Sequence, residues 1–215
     1  MKGESVKHLN GNIICAIDVE TTGLVAFYHD PIQVAFLPLD FELRPDPEIL
    51  PFEVKLKPRR PENIDYSAIK HQRNSLNDII VNGLDPDFAA DLFIEWFEKL
   101  PAREGKRIMP LCQNFPFDSG FLRDWLGEES FKYVIDNRYR DTMSIATYLN
   151  DVAYFQVEQY PFPKVHLQYL TTCLKLNFDP TKGHDALYDA AKTAEVYRAM
   201  VQYNLINLRG NPNEG

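Results

Sequence analysis

The apolar positions in the first part of the chain follow the pattern of β-strands. Residues 12–20 form an apolar, β-branched run broken by acids, which indicates a buried strand whose end opens into a site. Residues 31–43 and 51–57 nearly alternate between apolar and polar side chains, as neighbouring strands do. Pro38 and Pro51 mark these two strands as irregular or as edge strands. Together the three runs predict an antiparallel meander.

From residue 65 onward the apolar positions take up the period of a helix. A short helix is expected over 65–74 and a stronger one over 86–100, where Pro86 stands at the first helical position. The later predicted segments are a buried strand at 107–114, a helix at 118–126, a strand end at 139–142 and helices at 143–149, 167–176 and 185–206. Because strands come first and helices are interleaved later, the class is α/β with a mixed sheet.

The length of 215 residues, with 45% hydrophobic and 25% charged residues, is typical of one soluble globular domain. We expect that domain at 11–206, between an N-terminal tail at 1–10 and a flexible tail at 207–215. Three cysteines lie far apart without CxxC spacing, which favours neither disulfides nor zinc and predicts a reducing, cytoplasmic setting. The apolar stretch at 13–17 is too short for a signal peptide or membrane span, so no membrane partner is expected.

The formal net charge of -8 argues against a protein that holds nucleic acid through a broad basic field. It leaves open a nucleic-acid enzyme whose acidic cluster is offset by divalent cations. Local basic groups remain available, although charges of this kind are more often simply solvated. They are Lys55, Lys57, Arg59, Arg60, Arg103, Lys106, Arg107, Arg138, Arg140 and Lys182.

Two acids, Asp18 and Glu20, stand at the end of the first predicted strand. Because side chains two apart in a strand share a face, the two carboxylates lie side by side and repel each other. A divalent cation would remove that repulsion, and oxygen ligands without a nearby thiolate favour Mg²⁺ or Mn²⁺. Taken alone, the pair is also compatible with an ordinary solvated strand end.

A third acid, Asp118, follows the second buried strand, where functional groups gather in open α/β sheets. In isolation, the N-cap of the helix that follows is the commoner role of such an acid. Phe117 is a candidate base-stacking residue, although core packing is the commoner role of such a side chain. Asn114 is a candidate substrate contact or a residue that ties the turn together.

The segment HDALYDAA places His184 five residues ahead of Asp189 at the start of the last predicted helix. Five helical steps rotate by roughly 140°, so the two side chains converge only if His184 lies off the helix. Gly183 before it and Asp185 as the N-cap favour that arrangement. The spacing therefore indicates a mobile base above a fixed carboxylate. The alternatives are a structural histidine and a surface acid paired with Lys192 or Thr193.

The motifs DVETTGL, NFPFD and HDALYDA, in this order, resemble those of the DEDD exonucleases of the histidine-containing subclass. This family includes the DnaQ-like proofreading subunits, RNase T and oligoribonuclease, and the resemblance covers 13–200. It implies an RNase H-like fold, a five-stranded mixed sheet flanked by helices. The four acids of the family name fall on Asp18, Glu20, Asp118 and Asp189, and the histidine falls on His184.

The family resemblance implies hydrolysis by two Mg²⁺ or Mn²⁺ ions that releases nucleoside 5′-monophosphates from a 3′ end. Asp18 would then bridge both ions. Glu20 and Asp189 would hold the ion that activates water, and Asp118 would help to hold the other. His184 would take the proton from the water, a role that suits its ordinary pKa of about 6.5.

The resemblance also implies contacts around the catalytic acids. The candidate substrate-binding residues are Thr21, Gly23, Leu24, Asn114 and Phe117, with Phe27 and Tyr28 as further stacking candidates. Asp141 resembles a recurrent acid after the last strand, which supports the site from behind or caps a helix. The stretches PRRPENIDYSAI and DVAYFQVEQYPFPKV match no family motif.

The favoured substrate is the 3′ end of single-stranded DNA, which would place the protein in DNA repair or proofreading. One alternative is an exoribonuclease like RNase T or oligoribonuclease, and another is a non-catalytic nucleic-acid-binding module of the same fold. A phosphatase of small molecules is disfavoured because no Gly-rich phosphate loop occurs. A polymerase partner and a homodimer both stay open.

Overall fold

A computed structural model describes residues 11–70, 76–101, 106–156 and 158–208, with 203–208 described by backbone alone. One mixed sheet has the strand order β3-β2-β1-β4-β5. The strands are β1 (Ile13–Thr21), β2 (Pro31–Pro38), β3 (Phe52–Lys55), β4 (Ile108–Cys112) and β5 (Arg140–Asp141). β2 pairs antiparallel with both β1 and β3, whereas β4 pairs parallel with both β1 and β5. The predicted meander and mixed sheet are confirmed.

Eight α-helices accompany this sheet in the described part of the chain. They are α1 (Tyr66–Ile69), α2 (Leu76–Asn82), α3 (Pro86–Glu98), α4 (Phe115–Leu126), α5 (Glu128–Val134), α6 (Thr142–Phe155), α7 (Leu167–Cys173) and α8 (Ala186–Leu208). The sequence pattern does not predict α2 and α5. The end of the helix predicted at 65–74 lies outside the described residues. The same holds for residues 1–10 and 209–215 of the predicted tails. None of the described helices is long and apolar enough to cross a membrane.

The two faces of the sheet carry different helices. Alternate β1 residues such as Cys15 and Ile17 pack on one face against α3, α4 and α5. The other set of alternate β1 residues, Ile14 and Ala16, packs on the opposite face against Ala190 and Ala194 of α8. Small alanine side chains let α8 lie close to the sheet. Asp18 and Glu20 continue the row of Ile14 and Ala16, so β1 aims both carboxylates toward α8.

Two of the boundaries that differ from the prediction have local causes. β2 ends at Pro38 rather than at residue 43, because the Asp40 carboxylate accepts hydrogen bonds from the amides of Glu42 and Arg44 and turns the chain. α4 begins at Phe115 rather than at Asp118. The N-cap interpretation of Asp118 is therefore wrong, since this residue lies inside the first helical turn.

Asp141 joins two helix starts beside the sheet edge. Its Oδ1 accepts a hydrogen bond of 2.9 Å from the Ser144 amide and caps α6. Its Oδ2 accepts one of 2.7 Å from the Phe115 amide at the start of α4. The carboxylate is buried, so both bonds are shielded from water. Asp141 thereby fixes α4, and with it Asp118, against the end of β4.

We expect Asp141→Ala to lower the free energy of unfolding by about 2 kcal/mol, because two buried amides lose their acceptor. Urea denaturation followed by circular dichroism measures the change. Asp151→Ala, at an exposed position of the same helix, is the matched control. Equal stability of the two variants would contradict this role of Asp141.

Candidate active site

β1 brings the first two predicted acids to the sheet end because its neighbours have different lengths. On one side β2 continues the pairing, with Asp18 opposite Ala35 and Glu20 opposite Gln33. On the other side the registered pairs with β4 run only from Ile13 to Ala16. The last part of β1 therefore extends beyond β4, and both carboxylates lie at the open end of the sheet.

Asp118 reaches the same end from the opposite face of the sheet. Asn114, in the left-handed backbone conformation with φ 71°, turns the chain from β4 directly into α4. The Asp118 side chain is 4% exposed and is hydrogen-bonded by its own amide and by that of Val19. Val19 lies between the two β1 acids in the sequence, so this contact places Asp118 beside them.

The start of α8 supplies the remaining predicted residues. Asp185 caps the helix, since its Oδ1 accepts from the Tyr188 amide at 3.1 Å, and this confirms the predicted N-cap. His184 lies off the helix with a left-handed φ of 60°, as the spacing predicts. Its amide donates to Asp189 Oδ2 at 2.9 Å. Backbone geometry therefore ties the exposed histidine to the carboxylate one turn inside α8.

Three of the five predicted catalytic residues form a compact group. The ligand atoms of Glu20, His184 and Asp189 all lie within 4.8 Å of one another. Asp189 Oδ1 is buried and has no hydrogen-bond partner among the described residues. A buried oxygen in this state is costly unless a cation or a water binds it. A donor set dominated by carboxylates fits a hard divalent cation such as Mg²⁺ or Mn²⁺.

The other two acids belong to the same electrostatic cluster. Burial raises the pKa of Asp18 well above its usual range, and the charges of Glu20, Asp118 and Asp189 raise it further. Burial likewise raises the pKa of Asp118, against the effect of its backbone hydrogen bonds. Mutual repulsion of this kind is what a divalent cation relieves.

Burial also raises the pKa of the two acids nearest to His184. The pKa of Glu20 rises to about 8, with a further contribution from the charges of Asp189 and Asp185. The pKa of Asp189 rises to about 6, although the hydrogen bond from the His184 amide opposes the shift. Asp185, which the sequence assigns to capping, therefore also adds negative charge to the site.

The loop after β1 presents an exposed apolar surface beside the acids. Thr21 Oγ1 donates to the Gly23 carbonyl at 2.6 Å and fixes the turn. A side chain at Gly23 would collide with the His29 ring, 2.3 Å from the nearest ring carbon, so glycine is needed there. Leu24 is 75% exposed and Phe27 is 62% exposed. Two predicted contacts thus lie on an ordered loop with its apolar side chains in solvent.

The two predicted contacts on α4 have different environments. Asn114 stands at the helix N-cap position, but its side chain makes no capping hydrogen bond. Phe117 is partly buried and packs on Phe121, with ring centroids 5.0 Å apart. Core packing is thus at least one role of Phe117, while its place in the first turn of α4 keeps it next to Asp118.

Arg60 anchors the β1–β2 loop, and sequence reasoning gave it no role. Its Nε donates to Asp30 Oδ1 at 2.9 Å, and its backbone amide donates to Asp30 Oδ2 at 2.6 Å. Its guanidinium also donates to the carbonyl of Phe27 and to the Asp124 carboxylate of α4. Asp30 is 1% exposed, so Arg60 is its compensating charge. The sequence signal that could have found this role was an Arg-Arg pair between two prolines, at residues 58–61.

Gln33 is a second residue that the sequence reasoning missed. It is buried in β2 opposite Glu20. Its amide nitrogen donates to Glu53 at 2.7 Å, and its carbonyl oxygen accepts from the Ala186 amide at 3.4 Å. Gln33 therefore connects the sheet to the first residue of α8. One polar residue inside an otherwise apolar strand was the signal that could have found it.

A family model described as Exonuclease (RNase_T) matches residues 15–197. Among curated relatives, the proteins named DNA polymerase III PolC-type from Listeria welshimeri and Listeria monocytogenes are 30% and 29% identical to the chain. Each alignment covers 84% of this chain and 11% of the relative. The chain thus spans about 11% of the length of these relatives.

Solved structures share the fold at low identity. Cell-death related nuclease 4 (CRN-4) superimposes with a TM-score of 0.68 at 15% identity, over 89% of this chain and 64% of that one. Exonuclease I from Methylocaldum szegediense superimposes with a TM-score of 0.66 at 20% identity, over 92% of this chain and 43% of that one. The E. coli ExoI–ssDNA complex in its zinc-bound form superimposes with a TM-score of 0.62 at 19% identity, over 94% of this chain and 41% of that one. These likenesses concern the fold, and they confirm the predicted RNase H-like architecture.

The raised carboxyl pKa values predict a stability that falls with pH when no metal is present. Folded Glu20, with a pKa of about 8 against an ordinary 4.5, keeps its proton where the unfolded chain has lost it. Unfolding between these values releases a proton, so Tm in EDTA should fall by at least about 4 °C from pH 5 to pH 8. Addition of Mg²⁺ or Mn²⁺ should restore Tm at the upper end of this pH range. Differential scanning fluorimetry measures both effects.

Glu20→Gln should flatten this profile, whereas Glu48→Gln, at an exposed loop position, should leave it as in the wild type. A metal-free Tm that stays constant or rises across this pH range would contradict the buried-carboxylate interpretation of the site.

We expect Arg60→Met to lower the free energy of unfolding by about 3 kcal/mol, because it leaves Asp30 buried without its cation. The released loop should also become sensitive to chymotrypsin at Phe27 and Tyr28. Urea denaturation and limited proteolysis measure the two effects. Arg44→Met, at an exposed ion pair with Glu42, is the control. Wild-type protease resistance of Arg60→Met would show that Arg60 does not anchor the loop.

Proposed function

Because the chain belongs to the exonuclease family of DEDD 3′–5′ nucleases with an RNase H-like fold, we propose that it removes nucleotides from the 3′ end of single-stranded DNA. The products are nucleoside 5′-monophosphates. The supporting observation is the convergence of Glu20, His184 and Asp189 within 4.8 Å, around a buried carboxylate oxygen that lacks a partner. All three cysteines are free, which suits the proposed reducing, cytoplasmic setting.

Four carboxylates would hold the cations that this chemistry needs. They are Asp18, Glu20, Asp118 and Asp189, which come from β1, α4 and α8. When bound, two Mg²⁺ or Mn²⁺ ions supply an activated water and stabilise the leaving 3′ oxygen. The four negative charges formally balance two divalent ions, so a polyanion can approach an otherwise acidic protein. The raised pKa values of these acids support binding of cations at this position.

His184 is the proposed general base. Its side chain is exposed, and its backbone is held by Asp189 through the amide hydrogen bond of 2.9 Å. An exposed imidazole can take a proton from water and pass it to solvent. The left-handed backbone at His184 directs the side chain away from the helix and toward Glu20.

The loop after β1 is the proposed contact for the terminal nucleotide. Leu24 projects from the turn that Thr21 and Gly23 form, and its exposed apolar side chain can pack against a base. Phe117 and Asn114 approach from α4, and the exposed rings of Phe27 and Tyr28 offer further stacking surfaces. These contacts read the face of a base rather than its edges, so we expect little sequence preference.

DNA is favoured over RNA because the sequence relatives are named DNA polymerase III. Their similarity to this chain also supports proofreading as the context and a polymerase as the partner. An exoribonuclease with the same site is the alternative, and a comparison of deoxy and ribo substrates distinguishes the two.

The test uses fluorescent oligonucleotides of thymidine and of uridine, each with a free or a blocked 3′ end, in Mg²⁺ and in EDTA. We expect stepwise shortening of free 3′ ends in Mg²⁺ only, and faster cleavage of the deoxy strand. His184→Ala should lower kcat about 10²–10⁴-fold. Asp18→Asn should lower it at least as much, because cation binding is lost. Gel electrophoresis of quenched time points measures the rates.

His166→Asn, which retains a helix-capping acceptor, and Asp151→Asn are the matched controls, and both should keep the wild-type rate. Wild-type activity in either site variant, or cleavage of blocked ends at the same rate, would overturn the proposal.

A further inference from the structure

A cleft of about 510 Å³ lies between α4, α5 and the segment that leads into β5. Its size is within the range of ordinary ligand sites. Three cationic side chains from separate segments line it, namely Arg107 before β4, Arg123 on α4 and Lys132 on α5. The fold thus gathers into one place charges that are scattered along the sequence.

The charge of the cleft is positive even after its ion pairs are counted. Glu128 pairs with both Arg123 and Lys132. Asp136, an acid of the lining, is paired with Arg138 at 2.9 Å. With the ion-pair partners Glu128 and Arg138 counted, four cations stand against two carboxylates, in a protein whose net charge is -8. Such a local excess of positive charge favours a polyanionic ligand.

Arg107 and Tyr139 are two exposed residues of the lining. In the part of the chain that the structure describes, no carboxylate is within salt-bridge distance of the exposed Arg107 guanidinium. Tyr139 is 46% exposed and rests on Phe115, with ring centroids 4.8 Å apart. An aromatic ring among cations is the usual binding surface for single-stranded nucleic acid.

The lining of the cleft reaches the first turn of α4, the turn that also carries Asp118 of the candidate active site. Phe115 and Pro116 belong to its lining, and Asp118 lies in the same turn. The Asp141 carboxylate fixes this turn through the Phe115 amide. A strand whose 3′ end lies at the acids would pass the start of α4 to enter the cleft.

We propose that this cleft binds the single-stranded nucleic acid upstream of the scissile 3′ nucleotide, with phosphates against Arg107 and Lys132 and a base stacked on Tyr139. The proposal rests on the 3′–5′ exonuclease activity proposed above. It assigns the cleft to substrate affinity and processive contact with long strands, and it gives the cleft no part in the chemical step.

The test compares a dinucleotide, too short to reach the cleft, with a fluorescein-labelled thymidine oligonucleotide about twelve nucleotides long. In the double variant Arg107→Gln and Lys132→Gln, the ratio of the KM for the oligonucleotide to the KM for the dinucleotide should rise about tenfold. The slope of log KM against log salt concentration for the oligonucleotide should become shallower by about 1.4, since two phosphate contacts are lost. The double variant Arg44→Gln and Lys175→Gln, with the same loss of charge outside the cleft, is the control and should behave as the wild type.

Tyr139 provides an independent variant. Tyr139→Ala should weaken oligonucleotide binding severalfold, and Tyr139→Phe should restore it, because stacking needs only the ring. Fluorescence anisotropy in EDTA measures this affinity without hydrolysis.

The outcomes separate the two proposals. If the wild type cleaves both substrates and the KM ratio is unchanged in the Arg107 and Lys132 double variant, the cleft proposal is overturned while the exonuclease activity stands. If the wild type cleaves neither substrate, the proposed activity fails. Fluorescence anisotropy then tests the cleft proposal, since equal oligonucleotide affinity of the wild type and the Arg107 and Lys132 double variant would overturn that proposal.

Discussion

Repulsion among buried carboxylates is the constraint on which this structure depends. Asp18 and Glu20 share one face of β1, and the fold adds Asp118 and Asp189 to the same end of the sheet. Burial and the charges of neighbouring carboxylates raise the pKa of each, so without cations the cluster favours bound protons. In the proposed function, divalent cations would replace those protons and would also supply the chemistry of hydrolysis. The same interaction that costs stability without metal would thereby favour binding of the cofactor.

The surrounding elements hold the acids in place from both faces of the sheet. Alanines on α8 allow it to approach β1 closely, and Gln33 connects β2 to the first residue of that helix. On the other face, Asn114 turns β4 sharply into α4, and Asp141 secures the turn. Each contact is made by backbone or by short side chains. The exposed groups of the site are His184 and the apolar side chains of the β1–β2 loop.

The sequence predicts the elements with strong periodicity and those whose ends carry the motifs. The meander, the buried strand β4 and the capping of α8 by Asp185 follow from local patterns. Short helices such as α2 and α5 are missed because few turns give too little periodicity. Arg60, Gln33 and the basic cleft are missed for another reason. Their roles arise from contacts between segments distant in sequence, which no local pattern encodes.

The most direct measurement is anomalous diffraction from crystals grown with Mn²⁺ and a nucleoside 5′-monophosphate. The account predicts manganese density between Asp18, Glu20, Asp118 and Asp189, with the phosphate of the nucleotide against it. Well-ordered nucleotide with no manganese among these four carboxylates would contradict the claim that cations hold this acidic cluster together.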